Sequence, residues 1–342
     1  MLDDLKMIHQ RDAEDALGVA AKQLEYFNQS FELMMPSDVT INNVVLAGMG
    51  GSALPGVIVT TWPRLTVPFE IVRGYDIPDY VGPDTLFISS SYSGNTEETL
   101  EALTQAETKG AQIAVVASGG KLAECAQQKV YPLCIIPSGI QPRMATFYFV
   151  NAFVKILQSV HLTIEKTDAL FTAGEWLKQY VATWAPTVPT AQNYAKQIAQ
   201  ELMGKTVIMY AGPKMFAAAN KWKIAINENA KNTAWLNQYP EFNHNEFIGW
   251  SSHPEQKPFA IVEIRSNLEH PRVQKRFDVT ERLLSGKRPA PIVVQPEGQT
   301  LLHQLVYSIA LGDFVSIYLA LLNGVNPTPV DLVERLKTEL NN

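Results

Sequence analysis

Short apolar runs that end in a glycine- or serine-rich turn and then open into a helix recur along this chain. That rhythm limits the fold more than any other feature. In the first half a strand at Val44–Ala47 runs into Gly48-Met49-Gly50-Gly51-Ser52. A second strand is predicted at Phe69–Tyr75, and a third at Thr85–Ser89, followed by a polar turn and a helix ending near Gly110. Ala111–Gly120 is the next strand, KLAECAQQ a short helix, and YPLCIIPSG another strand. An opening helix is expected around Asp12–Met34, and a long apolar one over Met144–Leu162. A helical stretch broken by Pro186 and Pro189 then reads as a linker. The rhythm restarts at Gly204–Lys231, with further strands at Phe259–Arg265 and Ala290–Pro296. A buried helix from Leu301 and an amphipathic DLVERLKTEL close the chain. Strands alternating with helices imply an α/β fold, with parallel sheets covered by helices on both faces. The expectation is two doubly wound domains sharing a cleft, at 1–165 and 196–342, joined by a helical connection at 166–195.

Bulk properties agree with two domains, because 342 residues exceed one ordinary core. The net charge of -6 argues against a nucleic-acid partner, which would select a basic face. Cys125 and Cys134 are too few for a disulfide framework and lack metal-ligand spacing. Two unpaired thiols in a reducing compartment is the plain reading. The N-terminus MLDDLKMIHQRDAED has no apolar core of a signal peptide. The apolar LLHQLVYSIALGDFVSIYLALL is interrupted by His303, Gln304 and Asp313, so it reads as a buried helix and not a membrane span. The cytoplasm is the expected compartment.

Two strand-to-helix turns carry the clearest chemistry. In Gly48–Ser52 the glycines let backbone, at Gly50 and Gly51 above all, come close to a ligand. The turn is no dinucleotide fingerprint, which would put glycine where Ala53 stands, and no P-loop. The second turn, Ser89-Ser90-Ser91-Tyr92-Ser93-Gly94-Asn95-Thr96, opens a helix at Glu97 and Glu98. Hydroxyls gathered over a helix N-terminus donate to phosphate oxygens. Helix capping accounts for Thr96 or Ser93 but not for the whole run. The turn has no lysine, which suits a phosphate held as a handle and not transferred.

The second half supplies ionisable groups. Glu228, in KIAINENAKN, is either a base for a proton beside a sugar carbonyl or a solvated helix carboxylate. His244, in YPEFNHNEFIGW, is either a group that opens a sugar ring or a loop histidine bonded to backbone. Glu241 and Glu246 flank it and could tune it; the trio lacks the helical H-E-x-x-H pattern of a metal site. Arg143, in SGIQPRMA, follows the last strand of the first domain, where it either faces the phosphate turn or pairs with a surface carboxylate. His9, His161, His253, His270 and His303 form no cluster, and His161 and His303 read as core or interface residues. Stacking of sugar on Trp235 or Trp250 has no support from the pattern.

Taken together, GMGGSA at Gly48–Ala53, SYSGNTEET at Ser91–Thr99, GIQPRMA at Gly139–Ala145, NENAKN at Asn227–Asn232, FNHNEFIGW at Phe242–Trp250 and GVNPTPVDLVERLKTEL resemble the bifunctional phosphoglucose/phosphomannose isomerases. The resemblance covers nearly the whole chain and implies two flavodoxin-like sugar-isomerase (SIS) domains. It implies that Ser52, Ser91, Ser93 and Thr96 hold phosphate and that Glu228 shuttles a proton between C1 and C2. It further implies ring opening by His244, donated by the partner subunit of a homodimer, helped by Lys337, with Arg143 steadying the enediolate. The substrates would be sugar phosphates, with no metal, no redox cofactor and no membrane involved. Two departures stand out: Ala53 where glycine is usual, and Asn326 where aspartate is common. The rival readings are an amino-sugar phosphate isomerase or deaminase on the same fold, and a non-catalytic sugar-phosphate sensor.

Overall fold

Parallel strands cannot be joined by tight hairpins; each pair needs a crossover, and the crossover is right-handed. That rule organises the computed structural model, which describes residues 1–33, 35, 40–165, 167–251 and 258–340, with backbone alone at Lys337. Contacts group the chain into two compact units, Lys22–Trp176 and Leu177–Asn342, the latter including Met1–Ala21.

The opening segment is α1 (Leu5–Arg11) and α2 (Ala16–Lys22), followed by a 3₁₀ turn at Gln23–Asn28. The sequence suggested one helix over 12–34, of which Met34 lies outside the described residues. A break at Asp12–Asp15 divides the segment instead. Asp12 accepts from the amides of Ala16 (2.7 Å) and Leu17 (2.9 Å), starting a new helix there. Asp3, which accepts from Lys196 Nζ at 3.2 Å and from the Thr190 amide at 2.8 Å, ties the N-terminus to the C-terminal half.

The Lys22–Trp176 unit holds β1 (Asn43–Ala47), α3 (Gly50–Thr61), β2 (Phe69–Val72), β3 (Thr85–Ser91), α4 (Glu97–Thr108), β4 (Gln112–Ala117), α5 (Gly120–Lys129), β5 (Leu133–Ile135) and α6 (Thr146–Ser159). The strands pair in the order β2-β1-β3-β4-β5, all parallel. Every residue of β3 is buried, as expected for a central strand covered on both faces. Val44, Leu46, Leu86 and Ile88 pack toward Val59, Phe149 and Phe153 on one face. Val45, Phe87, Val115 and Ala117 pack toward Ala102, Leu103 and Leu122 on the other. Helix α7 (Thr167–Thr183) carries the chain onward, so the stretch read as a linker is largely helical before Pro186.

The other unit continues with α8 (Tyr194–Leu202), β6 (Thr206–Ala211), α9 (Phe216–Ala230), β7 (Ala234–Gln238), α10 (Glu246–Gly249), β8 (Phe259–Ile264), α11 (Pro271–Leu283), β9 (Ile292–Val294), α12 (Leu301–Asn323) and α13 (Asp331–Leu340). Its sheet order, β7-β6-β8-β9, is also parallel and repeats the first four positions of the first sheet. Both sheets therefore have the flavodoxin-like order, in which the winding reverses between the first and third strands. Helix α12 is long and apolar enough to cross a membrane by composition, but all of its apolar stretch is buried inside the unit. Its polar residues explain why: Asp313 pairs with Lys221 of α9, both fully buried, and Ser316 Oγ accepts from Asn229 Nδ2 at 2.9 Å.

A buried ion pair is costly when only one member is removed. Lys221→Met is expected to destabilise the protein by about 3–5 kcal/mol, and the paired Lys221→Met/Asp313→Leu change to recover most of that. Urea unfolding of the three proteins checks both.

Candidate functional site

The hydroxyl-rich turn is built by β3 running two residues further than the sequence suggested, to Ser91. Its first hydroxyls are interior: Ser89 is fully buried, and Ser90 Oγ donates to the Ser52 carbonyl at 3.0 Å. The next ones line the turn itself. Ser52 Oγ accepts from the Tyr92 amide at 2.9 Å, joining the two strand-to-helix turns. Ser91 Oγ and Thr96 Oγ1 share a hydrogen bond of 2.8 Å, and Ser91 Oγ also accepts from the Gly94 amide at 3.1 Å. Ser93 is exposed and accepts from the Asn95 amide at 3.3 Å. Thr96 occupies the N-cap position of α4, yet its hydroxyl makes no cap bond. Hydrogen bonds thus join Ser52 to the Tyr92 amide and Ser91 to Thr96, in a turn that also carries Ser93 and leads into α4, whose first amides have no acceptor within the helix. Neutral donors at the positive end of a helix are suited to an anion.

Glycine is required where backbones touch. A Cβ on Gly94 (φ +69°) would lie 1.8 Å from the Gly119 carbonyl oxygen, and one on Gly51 would lie 2.8 Å from the Pro142 carbonyl carbon. The second approach seats the 3₁₀ turn Pro142–Met144 on the Gly50–Ser52 turn. Arg143 is buried (2% exposed), and its Nη1 donates to Gln141 Oε1 at 3.2 Å. It is no surface arginine. Ala53, in place of a usual glycine, lies inside α3 without a positive φ, so its methyl costs the backbone nothing. Asn326 accepts from the Thr328 amide at 3.0 Å, closing a turn after α12, and donates to Glu14 at 2.7 Å.

In the other unit Glu228 sits half-buried in the last turn of α9. Both neighbours are fixed: Asn227 Oδ1 accepts from the Ala234 amide of β7 at 2.9 Å, and Asn229 bonds to α12. His244 ends a 3₁₀ turn, Glu241–His244, and is exposed. The two lie on opposite faces of their sheet. Tyr210, Ile208, Phe259 and Ile261 point to the face covered by Phe242, Phe247, Trp250 and α11. Val207, Met209, Val262 and Ile264, alternating with them, are buried on the face of α9 and α12. Reversal of winding between β6 and β8 produces this, since right-handed crossovers in opposite directions cover opposite faces. One copy of the unit therefore does not bring Glu228 and His244 together. Lys337 lies on α13, and its side chain is outside the described residues.

Neither glutamate flanking His244 is turned to it. Glu241 Oε1 accepts from Asn245 Nδ2 at 2.6 Å, and Glu246 bonds to Tyr210 and Asn237. Trp250 is buried and donates to Tyr210, so it packs, whereas Trp235 on β7 is 62% exposed. His161 is not a core residue: it follows α6 exposed, with φ 58°. His253 lies outside the described residues. Cys125 and Cys134 are both free.

Two contributors are not singled out by the sequence pattern. Gly120, with φ +71°, lets α5 meet the turn; a Cβ there would lie 2.4 Å from the Ser93 carbonyl oxygen. The repeated Gly119-Gly120 after a strand is the signal that could have found it. Glu269 fills the point in the second sheet that matches the hydroxyl turn in the first. It accepts from the Lys214 amide at 2.7 Å before α9, and burial pushes its carboxyl up from the usual range.

Two parallel sheets of flavodoxin-like order, one with a hydroxyl turn at its reversal point, define the chain as a two-domain SIS protein. Residues 191–340 match the family described as bacterial phospho-glucose isomerase C-terminal SIS domain. A bifunctional phosphoglucose/phosphomannose isomerase of Caldicellulosiruptor bescii is 36% identical over 305 residues, 88% of this chain and 90% of that protein. A D-glucosamine-6-phosphate 4-epimerase of Sulfolobus acidocaldarius is 31% identical over 239 residues, 70% of this chain and 74% of that one. The crystal structure of a glucose-6-phosphate isomerase like protein from Thermus thermophilus shares the fold, with TM-score 0.65, 17% identity and 98% coverage of both chains. The chain belongs to the bifunctional phosphoglucose/phosphomannose isomerase family.

The turn's dependence on Gly94 is testable. Gly94→Ala adds a clash to a strained φ and is expected to lower the thermal midpoint well beyond Gly139→Ala. The latter has φ +92° but open space around it, so its cost is the backbone strain alone, about 1–3 kcal/mol.

Proposed function

We propose that the chain is an aldose–ketose isomerase that interconverts glucose 6-phosphate and mannose 6-phosphate with fructose 6-phosphate through a cis-enediolate. Family membership supports the reaction class, and the hydroxyl turn is the observation that carries the substrate class. Ser52, Ser91, Ser93 and Thr96 hold the phosphate, with the backbone of Gly50 and Gly51 beside the substrate. Binding energy from this non-reacting end orients the reacting carbons. His244 and Lys337 move protons at O5 and O1 to open the ring. Glu228 removes the C2 proton of glucose 6-phosphate and returns it to C1, while Arg143 offsets charge on the enediolate. Reprotonation of C2 on the other face gives mannose 6-phosphate. A proton shuttled between adjacent carbons leaves the substrate's oxidation state balanced, so the step calls for no redox cofactor.

The working unit in this reading is a homodimer in which His244 serves the Glu228 of the second copy. Two observations favour it. Glu228 and His244 of one copy lie on opposite faces of a sheet. Helix α13 is exposed at each of its described side chains, with Leu332, Leu336 and Leu340 at helical spacing left uncovered. The cytoplasm is the proposed compartment, in keeping with two free thiols. The amino-sugar reading draws on the epimerase relative and is separated by assaying glucose, mannose and glucosamine 6-phosphates side by side.

Glu228→Gln is expected to abolish isomerisation while sugar-phosphate binding persists by calorimetry; unchanged turnover would remove Glu228 as the base. Mixing inactive Glu228→Gln and His244→Ala proteins, with subunit exchange, should restore about a quarter of wild-type activity, because half the dimers then hold one intact site. No recovery would place both groups in the same copy's site.

A further inference from the structure

The segment after β7 holds one exposed imidazole between neighbours that are held in place, Phe242, Asn243, Asn245 and Glu246. Phe242 is buried against Tyr210, Tyr239 and Phe247. Asn243 donates to Thr280 Oγ1 at 2.9 Å and accepts from Arg276 Nη1 at 3.2 Å, both on α11. Asn245 closes the turn by donating to Glu241 at 2.6 Å and accepting from the Glu246 amide at 2.6 Å. Glu246 then reaches into the sheet. One carboxylate oxygen accepts from Tyr210 O–H of β6, and the other from Asn237 Nδ2 of β7 at 2.6 Å. Trp250 Nε1 donates to the same Tyr210 oxygen at 3.1 Å. Among the described residues His244 itself makes no hydrogen bond or ion pair.

Glu246 therefore joins two strands to the turn that carries His244. Only a carboxylate matches this setting, because both partners donate. Burial and the neighbouring Glu246 charge push the Tyr210 hydroxyl well above its ordinary range, keeping it a donor. A glutamine could accept from Tyr210 but would present its own N–H₂ to the Asn237 donor.

We infer that Glu246, held by Tyr210 and Asn237, is a positioning residue that fixes His244 for ring opening. The inference rests on the reading of His244 as the ring-opening group. It assigns Glu246 no contact with substrate and no effect on Glu228, which lies on the other face of the sheet. Glu246 should thus matter for the cyclic substrate and not for the enediolate step.

Fructose 6-phosphate and 5-deoxyfructose 6-phosphate separate those steps, since the latter lacks O5 and cannot close the furanose ring. Glu246→Gln is expected to lower kcat on fructose 6-phosphate by about 10- to 100-fold with KM within about twofold. Turnover of 5-deoxyfructose 6-phosphate should fall by less than about threefold. Tyr210→Phe, which keeps the carboxylate and removes one of its donors, should give the same split at smaller size. Equal losses on both substrates would make the cluster merely structural and overturn the inference. Retention of fructose 6-phosphate turnover in Glu246→Gln, when His244→Ala loses it, would overturn the inference and leave the ring-opening reading standing. Full turnover of fructose 6-phosphate by His244→Ala would overturn both.

Discussion

The handedness of the crossover is the constraint on which the rest depends. A right-twisted strand feeding a helix packs back on the sheet one way only, so reversing the direction of winding changes the face that is covered. Each sheet here reverses once, between its first and third strands. In the first sheet the reversal sets β1 beside β3 and brings Gly48–Ser52 next to Ser91–Thr96. In the second it sends α9 and the His244 segment to opposite faces. One rule thus assembles the hydroxyl turn and separates the two ionisable groups.

The two reversal points show how the same geometry is put to different ends. In the first unit, hydroxyls and amides face the start of α4, and no cation lies in the turn. In the second, Glu269 brings a carboxylate to the amide of Lys214. Burial raises the proton affinity of that carboxyl, and the backbone donors oppose the shift.

Much of this was legible in the residues. The strands β1, β3, β4, β6 and β8 are apolar enough to be read directly, because strands covered on both faces have no solvated side to hide their pattern. The hydroxyl run was legible since capping consumes only one hydroxyl. Strand β7 was not, because as an edge strand it carries Asn237, Gln238 and an exposed Trp235. Helix α11 buries only Val273, Phe277 and Thr280 along a charged length. The extent of β3 was missed for a related reason: Ser90 and Ser91 look like a turn until Ser90 is seen bonded to the carbonyl of Ser52, 38 positions away.

By itself the sequence determined the alternation of strands and helices, most of the buried strands, the place of the hydroxyl-rich turn, and which glutamate and histidine to watch. These follow from short-range pattern and from residue chemistry. Only the tertiary structure decided that Met1–Ala21 belongs with the C-terminal half, since Asp3 meets Lys196 across 193 positions. It alone placed Glu228 and His244 on opposite faces, and turned Glu246 away from the histidine two residues before it. Those outcomes depend on which strands become neighbours and which way each crossover winds, and no local stretch of sequence encodes either.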